Sequence, residues 1–150
     1  MTVKAVPDGY STITPYMIIN DCKKFIKFVE TVFDAKLHHN MQSDNGNTMH
    51  AELQIGTSRI MISEASEMNP ATPTMLYLYM ENVDSIYEKA LAAGASSIAA
   101  PTDTFYGDRN AGVLDHSGNR WWIAAHIRDV TEEELAIGAA KKQQELKQCK

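Results

Sequence analysis

Apolar and polar positions along this chain follow two periods, and the same succession of periods occurs twice. From Ser11 to Asn20, STITPYMIIN is an extended run containing β-branched and aromatic residues, and it predicts a strand. Asp21 follows, with a carboxylate placed to accept from the free amides of a starting helix. In CKKFIKFVETVFDAK, Phe25, Phe28, Val29, Val32 and Phe33 recur at the three- and four-residue steps that gather side chains on one helical face. Three alternating segments come next: KLHHNMQ, TMHAELQIG and SRIMISEA. Asp44-Asn45-Gly46-Asn47 and Gly56-Thr57-Ser58 supply turns between them. The expected order is β-α-β-β-β.

The second half repeats that grammar. PTMLYLYMEN predicts a strand and Asn82 a cap, and Val83, Ile86, Tyr87, Ala90 and Leu91 repeat the helical stripe before Gly94 stops it. SIAAPTDTFY, NAGVLD and RWWIAAHI are the strands expected afterwards. Tyr16 and Tyr77 open corresponding positions, so two similar units are expected, module one at about residues 11–65 and module two at about 74–128. Ser66 to Pro73 is a loose stretch joining the halves, and SEASEMNP reads as a solvated linker or as a lid bordering the cleft mouth. Thr131 and Glu134 form a capping-box pair at the head of a last helix, about 131–147. Its apolar face is thin, which places it on the surface or against a partner subunit. The expected class is α+β, in a single domain over residues 1–150.

Composition narrows the partners. The net charge is -5, and the 14 Lys and Arg residues are mostly scattered. That argues against nucleic acid or an anionic membrane as main partner. No apolar run approaches the ~18 residues of a membrane span, and MTVKAVPDGYST lacks the apolar core of a signal peptide. Cys22 and Cys149 make neither a CxxC pair nor a disulfide framework, so a reducing cytoplasm is expected.

The doubled βαβββ plan, closing in YGDRNAGVLDHSGNRWWIAAHIRDVTEEE, resembles the vicinal oxygen chelate superfamily, which includes glyoxalase I, extradiol dioxygenases and bleomycin and fosfomycin resistance proteins. The resemblance covers about residues 11–128. Within the closing stretch, Tyr106, Gly107, Asp108, Arg109, Asp115, Gly118, Trp121, Ala124, His126, Asp129, Val130 and Thr131 are similar to the pattern of the PhnB-like branch. His116, Ser117, Asn119 and Ala125 depart from it. The resemblance implies two modules forming a curved mixed sheet around a cleft, helices on the outer face, and a homodimer.

Strand alternation then sorts the side chains between helix face and cleft. Pro15, Met17 and Ile19 are expected under the helices, and Thr14, Tyr16 and Ile18 in the cleft. Leu76, Leu78 and Met80 oppose Met75, Tyr77 and Tyr79 in the same way. Met49, Ala51, Leu53 and Ile55 make an apolar face, leaving His50, Glu52 and Gln54 opposite. Trp121 and Trp122 are neighbours, so one indole enters the core and the other faces the cleft. His38 and His39 are adjacent and are expected to point apart.

Enzymes of that superfamily hold one divalent ion with His and Glu residues from both modules. The resemblance places those ligand positions at Thr14, at Met75 (or Thr74 after a register slip) and at Trp122, none of which donates strongly to a hard cation. Glu64 is the one residual candidate. No cofactor is therefore expected, a displaced divalent metal site being the alternative. The reading that follows is a protein binding a small aromatic or apolar organic ligand. Tyr16, Tyr77, Tyr79 and Trp122 would wall the cleft, and His50, Glu52 and Arg109 would anchor polar groups. Two enzyme readings stay open: acid/base chemistry by His50 and Glu52, and a metal-dependent lyase or isomerase of glyoxalase type.

Overall fold

A computed structural model describes residues 2–149. Module one contains β1 (Tyr16–Ile19), α1 (Cys22–Phe33), β2 (Lys36–Gln42), β3 (Thr48–Ile55) and β4 (Ser58–Glu64). Module two contains β5 (Met75–Tyr79), α2 (Val83–Ala92), β6 (Ser96–Asp103), β7 (Asp108–Leu114) and β8 (Arg120–His126), followed by α3 (Glu132–Gln148). Each module folds into one four-stranded mixed sheet, ordered β1-β4-β3-β2 and β5-β8-β7-β6. In both, the first and last strands run parallel and the remaining pairs antiparallel. The helix between first and second strand is the crossover that a parallel pairing requires. The α+β class and the repeated βαβββ plan are therefore those expected. The first strand is shorter than Ser11–Asn20, because only Tyr16–Ile19 meets β4.

Helix α1 buries Phe25, Phe28, Val29, Val32 and Phe33, the stripe read from spacing, together with Cys22 and Ile26. Asp21 caps it, its carboxylate accepting from the Lys24 amide at 3.0 Å. Asn82 stands at the head of α2 with a left-handed backbone, but its side chain makes no capping bond. Thr131 and Glu134 form the expected capping box on α3, which buries none of its residues. The core continues across both modules: Phe25 and Phe33 of α1 stack against Trp121 of β8, with ring centroids 5.9 and 4.9 Å apart. Burying aromatic side chains of this size contributes about 1.5–3 kcal/mol each.

The turn between β7 and β8 ties the modules together. Asp115 is buried, and its carboxylate accepts from the amides of Ser117 (2.9 Å) and Asn119 (3.0 Å), from Asn119 Nδ2 (2.9 Å) and from Trp121 Nε1 (2.8 Å). Asn119 Oδ1 in turn accepts from the Thr74 amide, Ser117 Oγ accepts from the Asn20 amide, and His116 Nε2 lies 2.7 Å from the Asn20 carbonyl. A turn in module two thus holds the residue at the end of β1.

Candidate functional site

The helix-free face of each sheet carries the polar and aromatic residues. On module one, Tyr16 Oη lies 3.4 Å from His50 Nδ1, and His50 Nε2 lies 3.4 Å from Glu52 Oε1. Arg59, beside Glu52 on the neighbouring strand, places Nη1 3.7 Å from Glu52 Oε2 and stacks under the Tyr10 ring at 4.9 Å. Glu52 sits below the usual carboxylate range, first through the Tyr10 hydroxyl and then through His50. Tyr16, His50 and Glu52 therefore meet as alternation required, while Arg59 and Tyr10 are additions that spacing alone does not reveal.

On module two, Tyr77 and Tyr79 both donate their hydroxyls to Asp108 Oδ2, at 3.3 and 3.2 Å. His126 Nδ1 meets the other oxygen of Asp108 at 2.9 Å, and its Nε2 meets Asp129 at 2.9 Å. Asn110 bridges the hydroxyls of Tyr77 and Tyr106. Asp108 is 4% exposed, so a buried carboxylate organises two phenols and an imidazole. Burial pushes the Tyr77 hydroxyl up to about 12. The charge of Asp108 raises that of Tyr79. Both phenols therefore stay protonated donors at neutral pH. Asp129, then Asp108, raise His126 above its ordinary value. Trp122 lies opposite Gly112 and beside Tyr77 in the strand register, and its ring is so close that a Cβ on Gly112 would stand 3.1 Å from it. Trp121 is fully buried on the opposite face. The two indoles divide as expected.

Four expectations change. Arg109 does not reach the helix-free face: β7 begins at Asp108, so Arg109 shares the helix side with Ala111 and Val113. There its guanidinium binds Asp84 of α2 through two 2.7 Å contacts and Asp103 through a third. Those acids raise its pKa. Glu64 is also committed elsewhere, Oε1 accepting from the Asp21 amide at 2.7 Å and Oε2 from the Cys22 amide at 3.0 Å. It serves the helix N-terminus, where negative charge meets free amides. A β-bulge between Leu37 and His39 turns both histidines toward one face. His38 Nε2 lies 2.9 Å from Gln54 Oε1, and the His39 ring lies 6.5 Å from that of His50. Met49, expected in the apolar face, is 57% exposed, whereas Ala51, Leu53 and Ile55 are buried.

Residues 12–123 match the glyoxalase/bleomycin resistance protein/dioxygenase superfamily, more than half of the chain. The chain belongs to that superfamily. Among its relatives are uncharacterised proteins of Mycobacterium bovis and Mycobacterium tuberculosis, each 28% identical over 134 residues, covering 82% of this chain and 88% or 79% of theirs. Among solved structures, TioX of Micromonospora sp. ML1 superposes with a TM-score of 0.66 at 23% identity, covering 78% of this chain and 99% of that one. The fosfomycin resistance protein FosX of Listeria monocytogenes gives 0.56 at 16% identity, over 83% and 94%. These likenesses concern the fold.

At the positions where the resemblance puts the superfamily's metal ligands, the side chains present do not fit a divalent ion. Thr14 spends its hydroxyl on the Ser11 carbonyl, Met75 is a thioether, Trp122 an indole, and both oxygens of Glu64 cap α1. Hard divalent ions select carboxylate, imidazole and water ligands. Among the described residues, no three His, Cys, Asp or Glu side chains are grouped to hold a metal elsewhere.

Proposed function

We propose that this superfamily member belongs to the PhnB-like branch and binds a small aromatic or apolar organic molecule on its helix-free face, with no metal at the superfamily's position. The observation that carries the reading is Trp122, flat over Gly112 and next to Tyr77, where the resemblance expects a metal-binding carboxylate. Tyr16 (50% exposed), Tyr77 (43%) and Tyr79 (69%) offer aromatic surface to a ligand. The homodimer that the resemblance implies belongs to the same reading, with the unpaired outer edges of β2 and β6 open to a second copy. Two free cysteines, one buried and one exposed, agree with a cytoplasmic setting.

A thermal-shift screen of small aromatic compounds, followed by calorimetric titration of wild type and Trp122→Ala, tests the reading. At least about tenfold weaker binding is expected in the variant, the scale of about 1.4 kcal/mol lost from one aromatic wall. Unchanged affinity would remove Trp122 from the site. A second reading rests on the Tyr16–His50–Glu52 chain, whose 3.4 Å contacts suit an acid/base pair that tightens on a substrate. It predicts turnover with a pH profile that disappears in His50→Gln. The metal-dependent lyase alternative predicts one stoichiometric divalent ion in untreated protein.

A further inference from the structure

A cavity of about 570 Å³ lies where the two modules meet and borders the helix-free face at Tyr77 and Tyr79. It runs along the unpaired edge of β5 and is bounded by residues 11–15 and the β3–β4 hairpin. Ile55, Ile60, Leu76, Leu78 and Trp121 give it apolar walls. Among the described residues lining it, Arg59 is the one cation and Glu81 the one acid. Its volume falls within the roughly 300–1,000 Å³ of small-molecule sites.

Arg59 is poorly compensated. Its side chain is 19% exposed, and its Nε is buried with no hydrogen-bond partner. Its ion pair with Glu52 spans 3.7 Å, longer than a hydrogen bond, and Glu52 is shared with His50. The Pro7–Tyr10 turn covers the guanidinium: the Tyr10 ring stacks on it, and a Cβ on Gly9 would stand 2.9 Å from Nη2. Burial strengthens the call for an acceptor, since a desolvated cation without a partner is costly. A guanidinium fork matches a carboxylate with two parallel hydrogen bonds.

We propose that this cavity binds a small carboxylic acid with a flat or branched apolar body. The carboxylate pairs with Arg59, and the body packs on Ile13, Leu76 and Leu78. Glu52 offsets the guanidinium only loosely, so an incoming carboxylate forms a stronger pair than the one it weakens. The cavity shares Tyr77 and Tyr79 with the helix-free face but not Trp122, so the proposal rests on the ligand reading of that face and gives it a different anchor.

The test titrates the full-length protein with naphthalene-2-carboxylate and, separately, with its neutral carboxamide, by calorimetry. Wild type is expected to bind the acid, and Arg59→Gln to bind it at least about tenfold more weakly while holding the carboxamide as wild type does. Arg59→Lys, which keeps charge but loses the fork, should fall between. Unchanged affinity for the acid in Arg59→Gln, or equal loss of both probes, would overturn the proposal. So would a wild-type protein that binds neither probe at millimolar concentration, including one that is dimeric through the edge of β5. Loss of acid binding in Trp122→Ala with Arg59→Gln unaffected would move the ligand to the helix-free face and refute this site alone.

Discussion

Asp115→Ala removes the acceptor around which the β7–β8 turn is built. The carboxylate is 5% exposed, and the change strands the amides of Ser117 and Asn119, Asn119 Nδ2 and Trp121 Nε1. Each buried donor left alone costs about 1–3 kcal/mol, and water admitted to the small void recovers part of that. The expected loss is therefore about 3–5 kcal/mol, at the upper end for a single substitution. For a chain of this size that lowers the midpoint of thermal unfolding by about 8–15 °C. Asp115→Asn is the sharper variant. It keeps the shape but can leave an NH₂ facing the N–H of Trp121 or of the Ser117 and Asn119 amides, so its cost should approach that of alanine. Urea unfolding followed by circular dichroism and tryptophan fluorescence measures both, with an unchanged denaturant slope showing that the unfolded state is not the cause. If both variants remain within about 0.5 kcal/mol of wild type, the turn is not the hub described, because that is the range of ordinary surface changes.

Arg109→Gln should cost about 1 kcal/mol or less in stability, since its partners Asp84 and Asp103 are more than half exposed, and should leave ligand affinity unchanged. A large loss of affinity in titration would return Arg109 to the binding site. Glu64→Gln should lower stability by about 1 kcal/mol through the weakened α1 cap and leave the metal content of untreated protein unchanged in elemental analysis. His126 has a raised folded-state pKa, so the stability it contributes is complete below its unfolded value of roughly 6.5 and fades as pH rises through the raised one. The difference in melting temperature between wild type and His126→Gln should accordingly shrink on going from acid to alkaline buffer. A pH-independent difference would contradict the double carboxylate contact.

Local rules carry a long way in this chain. The α1 stripe, the Thr131–Glu134 capping box and the split between Trp121 and Trp122 follow from helical spacing, cap chemistry and strand alternation, which act over a few residues. Arg109 was legible in principle: starting the strand at Asp108 rather than Asn110 aligns it with buried Ala111 and Val113. The bulge that brings His38 to the same face as His39 was not, because one extra residue reverses the alternation and depends on how β2 pairs with β3.

The sequence by itself determined which residues form the two βαβββ units and which face of most strands is apolar, since periodicity encodes both. Only the tertiary structure decided what the polar residues do. Asp108 gathers Tyr77 and Tyr79 from a strand about thirty residues earlier in the chain and His126 from the next strand. Glu64 meets amides of Asp21 and Cys22. Arg59 lines a cavity made by both modules. Each of these contacts joins groups far apart in sequence, and their charge and burial are set by the packing of separate elements rather than by any pattern along one of them.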